Sequence, residues 1–170
     1  MDAARVATGD DLAAITELAT EAVAELSELR GGAVWRLQDG RQEPVEAGIK
    51  ADVARPRAEG LAVVATIHEV VVGYGISRID ELADGSPLSV ITDLYVHPEA
   101  RGIGLGEAMM DLLVAHANEV GAVGIDSLAL PGDRGTKNFF ETFGLKARAI
   151  VVHRSLRPTD DPAGSDDGRA

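Results

Sequence analysis

The chain has 170 residues, no cysteine and a formal net charge of −12. That length makes one domain with room for a sizeable core, and the missing cysteines exclude disulfides, thiolate metal sites and a cysteine nucleophile. The acidic balance excludes sequence-independent nucleic-acid binding, which needs a basic face to displace counterions; solubility explains it first, attraction of cationic amines second.

Arginine outnumbers lysine, and alanine, glycine, valine and aspartate are abundant, which points to a GC-rich bacterial gene. The start, MDAARVATGDDLAA, lacks a basic-then-apolar signal pattern. The apolar runs, the longest near Leu61–Ile67, are too short to span a bilayer. The expectation is a cytoplasmic protein with no membrane partner.

Arg5–Ala7 reads as a short strand. Thr8 or Asp10 is placed to cap the helix that follows. There Leu12, Ile15, Leu18, Ala19, Ala22, Leu26 and Leu29 recur at helical spacing, until Gly31-Gly32 stops them. Residues 31–60 are the least regular part, with a short helix expected between Pro44 and Pro56. Trp35, the single tryptophan, either plugs this connection onto the core or walls a pocket, and the plug is the preferred reading.

Leu61–Ile67 and Val70–Ile79 predict an antiparallel hairpin turning at His68-Glu69. Gly73 and Gly75 in its second strand mark a bulge or a closely approaching ligand. A third strand is expected over Leu88–Val96, then a helix from about Gly104 with Met109 and Met110 as core filler. Gly124–Leu130 reads as a strand, Thr136–Phe143 as a helix closed by Gly144, and ARAIVVHRSL within Leu145–Leu156 as a final strand. The domain is expected to span residues 1–157, and 158–170 (PTDDPAGSDDGRA) to be a disordered acidic tail.

The chemistry concentrates in residues 90–120, VITDLYVHPEARGIGLGEAMMDLLVAHANEV. A strand, a glycine-rich turn and a helix N-terminus bring backbone amides and a helix dipole to one point, suited to an anion. A dinucleotide fingerprint fails, because Glu107 or Met109 stands where the third glycine is needed. A P-loop fails for want of its Lys-Ser/Thr ending. Arg101-x-x-Gly104-x-Gly106, set between DLYV and the amphipathic helix with NFFETFGLKAR downstream, resembles the acyl-CoA pyrophosphate turn of the GNAT N-acetyltransferase superfamily. The resemblance covers roughly residues 3–156.

That resemblance implies an α/β (α+β) domain with a mixed, mostly antiparallel central sheet flanked by helices. The sheet would splay between the strand at 88–96 and the strand at 124–130. It implies acetyl-CoA as acyl donor and an amine as acceptor, with no metal. The backbone of Leu94, Tyr95 and Val96 would pair with the pantetheine arm. Arg101 would open the turn, and the amides of Gly102, Ile103, Gly104, Leu105, Gly106 and Glu107 would wrap the pyrophosphate.

Departures from the family pattern limit this. Asp133 and Phe140 occupy positions where relatives carry an asparagine and a tyrosine, and Phe140 cannot protonate a leaving thiolate. Val90 and Leu128 fill the usual places of a glutamate base. Asp93 is the first candidate for that role, against a structural hydrogen bond, and Asp126 the second. An acid inside an apolar strand needs a partner. His97, His68, His116 and His153 read as turn, helix and strand residues without metal-ligand spacing. The single final strand leaves either a shorter sheet or an edge completed by a second chain, so a homodimer fits. The alternative to an enzyme is a non-catalytic acyl-CoA-binding module.

Overall fold

The computed structural model describes residues 3–156; the acidic tail lies outside them. Its organising strand is GLAVVATI, with seven successive residues buried. Strand alternation sends Leu61, Val63 and Ala65 into one core cluster and Ala62 and Val64 into another. A strand apolar on both faces needs cover on both, and the helices are distributed accordingly.

The sheet runs β1 (Ala3–Val6), β2 (Gly60–Ile67), β3 (Val70–Glu81), β4 (Pro87–Val96) and β5 (Ile125–Ser127), in sequence order. The first four are antiparallel and β5 is parallel to β4. α1 (Leu12–Ser27), α2 (Gly32–Gln38) and α3 (Val45–Val53) precede β2, while α4 (Leu105–Glu119) precedes β5 and α5 (Arg134–Thr142) follows it. Ile15, Leu18, Ala19, Val45 and Ile49 from α1 and α3 share a cluster with Tyr74, Ile76 and Tyr95. On the other face Leu105, Met109, Met110, Leu113 and Phe140 meet Leu61, Val63, Ala65 and Ile91. The splayed, mixed sheet flanked by five helices is the fold class expected.

Local details are instructive. Of the two expected caps, Thr8 and not Asp10 heads the helical entry, in a reciprocal box with Asp11, whose carboxylate accepts from the Thr8 amide at 2.8 Å and from two Arg5 nitrogens at 2.8 Å. Gly73 borders a bulge, one of the two readings expected, and both glycines also make room for packing. A Cβ at Gly73 would lie 3.0 Å from the Tyr95 carbonyl oxygen and 3.2 Å from Met109 Cε; at Gly75 it would lie 3.3 Å from Leu113 Cδ1. These glycines let α4 sit down on the sheet. The nearest bulge falls beside them, between Ala65 and Thr66, where Val72 is the unmatched residue.

The expected final strand is absent. Among the described residues 145–156 there is no strand or helix, and Ile150, Val151 and Val152 are exposed. A β-branched run supplies propensity, but a strand exists only where an edge pairs with it. The strand predicted over 124–130 likewise shortens to three residues.

The β2–β3 turn places two non-glycine residues in the left-handed region. His68 and Glu69 both take positive φ, 47° and 71°, as a two-residue turn of the I′ kind requires. Glutamate does not favour that region. Glu69→Gly is expected to stabilise the fold by about 1 kcal/mol, read as a rise in Tm of roughly 2–4 °C by calorimetry.

Candidate functional site

The site begins with a missing partner. Ser77 pairs with Ile91 and Ile76 with Asp93, so Thr92 is an extra residue on β4. A bulge bends its strand, and β5 follows β4 only over Ser89–Ile91. Beyond that point β4 runs on to Val96 without a strand neighbour on this side among the described residues. The opening is a cleft of about 380 Å³ that reaches from Asp93 and Trp35 to the turn after β4.

In that turn Gly102 and Gly104 have φ of +82° and +88°, and a Cβ at either would meet nothing within 4 Å. The backbone conformation therefore demands glycine, while the space above it is open. Gly104 is the N-cap of α4 and supplies no side-chain cap. The first helical amide with a helix carbonyl is that of Ala108, bonded to Gly104 at 3.0 Å, so the amides of Leu105, Gly106 and Glu107 have no intrahelical acceptor. An open cradle of amides at a positive helix end fits a pyrophosphate. Ile103 is exposed at its rim, and Gly106 lies against Phe139.

Arg101 is fixed before any ligand arrives. Its Nε donates to the Val96 carbonyl at 2.8 Å, and Nη2 donates to both Glu25 oxygens at 2.9 and 3.1 Å. Its guanidinium lies 5.3 Å from the Tyr95 ring centroid, and the Tyr95 hydroxyl donates to Glu25 at 3.1 Å. Burial first, then the Glu25 charge, pushes the Tyr95 phenol up to about 12. Sequence reasoning missed Glu25. Its signal was an acid on α1 flanking the apolar stripe of Ala22, Leu26 and Leu29.

Asp93 lies on the cleft floor with its carboxylate engaged. Oδ1 accepts from Arg41 Nε at 2.8 Å and the Tyr74 hydroxyl at 3.0 Å; Oδ2 accepts from Arg41 Nη2 at 2.6 Å and Thr92 Oγ1 at 2.8 Å. Arg41 also contacts Asp52 at 2.8 Å, and Asp52 pairs with Arg55. Burial alone would lower the Arg41 pKa, but bonds and charge from Asp93 and then Asp52 outweigh it, and it is raised. Tyr74 is held well above the usual phenol range, by burial and then by the Asp93 charge. Arg41 was not singled out from the sequence, because it lies 52 residues from its partner in the irregular connection.

The other predicted residues divide. Leu94, Tyr95, Val96, Arg101, Gly102, Leu105, Gly106, Glu107, Asp133 and Phe140 line this one cleft. Asp133 caps α5, accepting from the Thr136 amide at 2.9 Å. Phe140 is buried, edge-on to Phe139 at 5.8 Å. Asp126 is not brought here: it lines a second cleft and is paired with Arg148, which holds its carboxyl below the usual range. β5 ends at Ser127, so alternation does not carry Asp126 to the face of Leu128, which does line the site. Trp35 is half-buried in the cleft wall, which favours the pocket-wall reading over the plug. His97 accepts from the Glu99 amide as a turn cap, and His116 Nε2 lies 2.6 Å from the Arg57 carbonyl. Among the described residues no cluster is placed to hold a metal, and no helix is long and apolar enough to cross a membrane.

The same architecture recurs in solved structures. A tetramutant of the BH1408 protein from Bacillus halodurans is 16% identical with a TM-score of 0.74, over 90% of this chain and 99% of that one. A Trypanosoma brucei acetyltransferase is 22% identical with a TM-score of 0.64, over 92% and 100%. AAC(6')-Iy, in complex with the bisubstrate analogue CoA-S-monomethyl-acetylneamine, is 15% identical with a TM-score of 0.68, over 92% and 99%. No curated protein matches the chain in sequence. A sheet splayed above an amide-lined turn, in this order of elements, defines an acyl-CoA N-acyltransferase fold. The acetyltransferase (GNAT) family model matches residues 20–145, and the chain belongs to that family.

Gly104→Val tests the turn. Acetyl-CoA at a hundred times its Kd should stabilise the native protein by about 2.7 kcal/mol, a Tm rise of roughly 5–10 °C. The variant should lose that rise, because a β-branched residue at φ +88° rebuilds the turn. A variant that is still shifted by acetyl-CoA places the cofactor elsewhere.

Proposed function

We propose that the protein transfers an acetyl group from acetyl-CoA to a primary amine, of a small molecule or of a protein, by direct attack of the amine on the thioester. The observation that carries this reading is the single cleft joining the amide cradle at Gly102–Glu107 to the polar floor at Asp93. The cradle amides hold the pyrophosphate, and the unpartnered side of β4 over Leu94–Val96 takes the pantetheine arm as an added strand. Helix-end charge alone supplies roughly 0.3–1 kcal/mol, so the several amide bonds carry most of the grip.

The thioester supplies an activated acyl carbon and a leaving thiol whose ordinary pKa is about 8.5, so departure without an acid at Phe140 is tolerable. The amine sets the harder requirement. With an ordinary pKa near 10.4, losing its proton at neutral pH costs about 3 units, or roughly 4–5 kcal/mol. A carboxylate offers about four lone-pair sites, and Asp93 already accepts from four donors. Water in the cleft is therefore the first proton acceptor. Asp93 works by fixing Arg41, Tyr74 of β3 and Thr92 of β4, which shape the floor.

The rival reading, a non-catalytic acyl-CoA-binding module, draws on the same two facts: a buried phenylalanine in the acid's place and a fully engaged Asp93. Thiol release from acetyl-CoA across a panel of primary amines separates them. Amine-dependent release supports transfer; a thermal shift with acetyl-CoA but no release with any amine supports the module.

Asp93→Asn tests the proton route. The expected result is an unchanged shape of the pH–kcat/KM profile with less than a tenfold loss of rate. Stability should fall by about 3 kcal/mol, since Arg41 loses one buried partner. Loss of the acidic limb of the profile instead assigns the base to Asp93 itself.

A further inference from the structure

Both arginines of the cleft are engaged by carboxylates, Arg101 by Glu25 and Arg41 by Asp93 and Asp52. Of the other acids in its lining, Asp133 caps α5 and Glu107 lies in the first turn of α4, beside the amide cradle. Asp39 differs. It closes α2 in the cleft wall and is exposed, and among the described residues its carboxylate enters no hydrogen bond or ion pair. Its charge is felt by Arg78, but that guanidinium is already held by both oxygens of Asp80, at 2.8 and 3.2 Å.

Trp35 stands one helical turn before it. The Asp39 amide donates to the Trp35 carbonyl at 2.8 Å, and residues four apart share a face of a helix. Both line the cleft, where the indole is half-buried. Among the described residues the cation recorded over an aromatic ring is Arg101 on Tyr95, so the Trp35 ring carries none. A free carboxylate one turn from a tryptophan recognises an ammonium group twice, by charge and by the ring quadrupole. The floor offers no such attraction, because the charges of Asp93, Arg41, Asp52 and Arg55 cancel. That division suits amine chemistry. An uncompensated carboxylate beside a reacting nitrogen would keep it protonated, whereas one set apart from the floor anchors the molecule by a different charge.

We propose that the acceptor is a small diamine, and that Trp35 and Asp39 bind the nitrogen that does not react. The inference rests on the transfer reading and names its substrate class. The cleft holds about 380 Å³ and must also take the cofactor's arm, so the room at the floor suits a short alkyl chain. The anchored ammonium keeps its proton. The other nitrogen gives one up to cleft water, helped by the positive charge nearby, which disfavours a second. Its lone pair then forms the amide bond as the C–S bond breaks onto sulfur. One end of the substrate is held as a cation while the other becomes a neutral nucleophile.

Acetyl transfer by the full-length protein is measured with 1,3-diaminopropane, 1,4-diaminobutane and 1,5-diaminopentane, each against the alkyl monoamine of equal chain length. At least one diamine is expected to exceed its monoamine by about tenfold or more in kcat/KM. Asp39→Asn and Trp35→Leu are each expected to cut that preference to about threefold or less, through the diamine's KM and not its kcat. Asp39→Glu, which keeps the charge, is expected to retain most of the preference. Monoamines acetylated as well as diamines by the parent protein, or a preference that survives both Asp39→Asn and Trp35→Leu, overturns the cation site and leaves acetyl transfer standing. Thiol release with none of these amines overturns the transfer reading and the diamine assignment together.

Discussion

Thr92 has no partner on β3, and the bend it puts into β4 is the constraint on which the cleft depends. Upstream of it β4 is clasped on both sides; downstream it keeps β3 and loses β5. A regular strand would have carried the pairing through to Val96 and closed the space a ligand needs. The same residue helps hold what the bend exposes: its hydroxyl donates to Asp93 and lies 3.3 Å from the Ile76 carbonyl. Sheet geometry and floor chemistry are thus fixed at adjacent positions.

The two ends of the cleft are polarised differently. At the turn, backbone amides and a helix end present positive potential without titratable groups, so an anion can bind across a wide pH range. Nearby, Glu25 takes up the Arg101 charge, so the positive potential of the turn comes from its amides and the helix end. At the floor, Asp93, Arg41, Asp52 and Arg55 form a chain of opposite charges that sums to zero. Removing one member would leave an uncompensated buried charge, so the floor resists piecemeal change.

How much was legible in the sequence follows from which contacts are local. The hairpin, the strand–turn–helix at 90–120 and the α1 stripe follow from spacing within a few residues, and they stand where expected. The bulge at Thr92 was not legible, because one extra residue in ITDLYV leaves no mark on composition. Arg41 and Glu25 were missed for a related reason: each meets its partner across more than fifty residues, and nothing in QDGRQEP or AELSEL announces an ion pair. The strand read into ARAIVVHRSL failed in the opposite direction. Its propensity is strong, but propensity does not supply an edge.

The strand GLAVVATI has a mechanical consequence. Its side chains are shared between the α1–α3 cluster and the α4–α5 cluster, and its backbone is paired with β3 along its length and with β1 over Val63–Thr66. Neither helical layer can peel away without uncovering residues that the opposite layer also needs. The amides of Val63 and Val64 should therefore exchange with solvent only when the whole domain opens. The unpaired reaches of β4 and β5 around the cleft, by contrast, should exchange by local opening. Adaptability and cohesion are thus carried by different strands of one sheet.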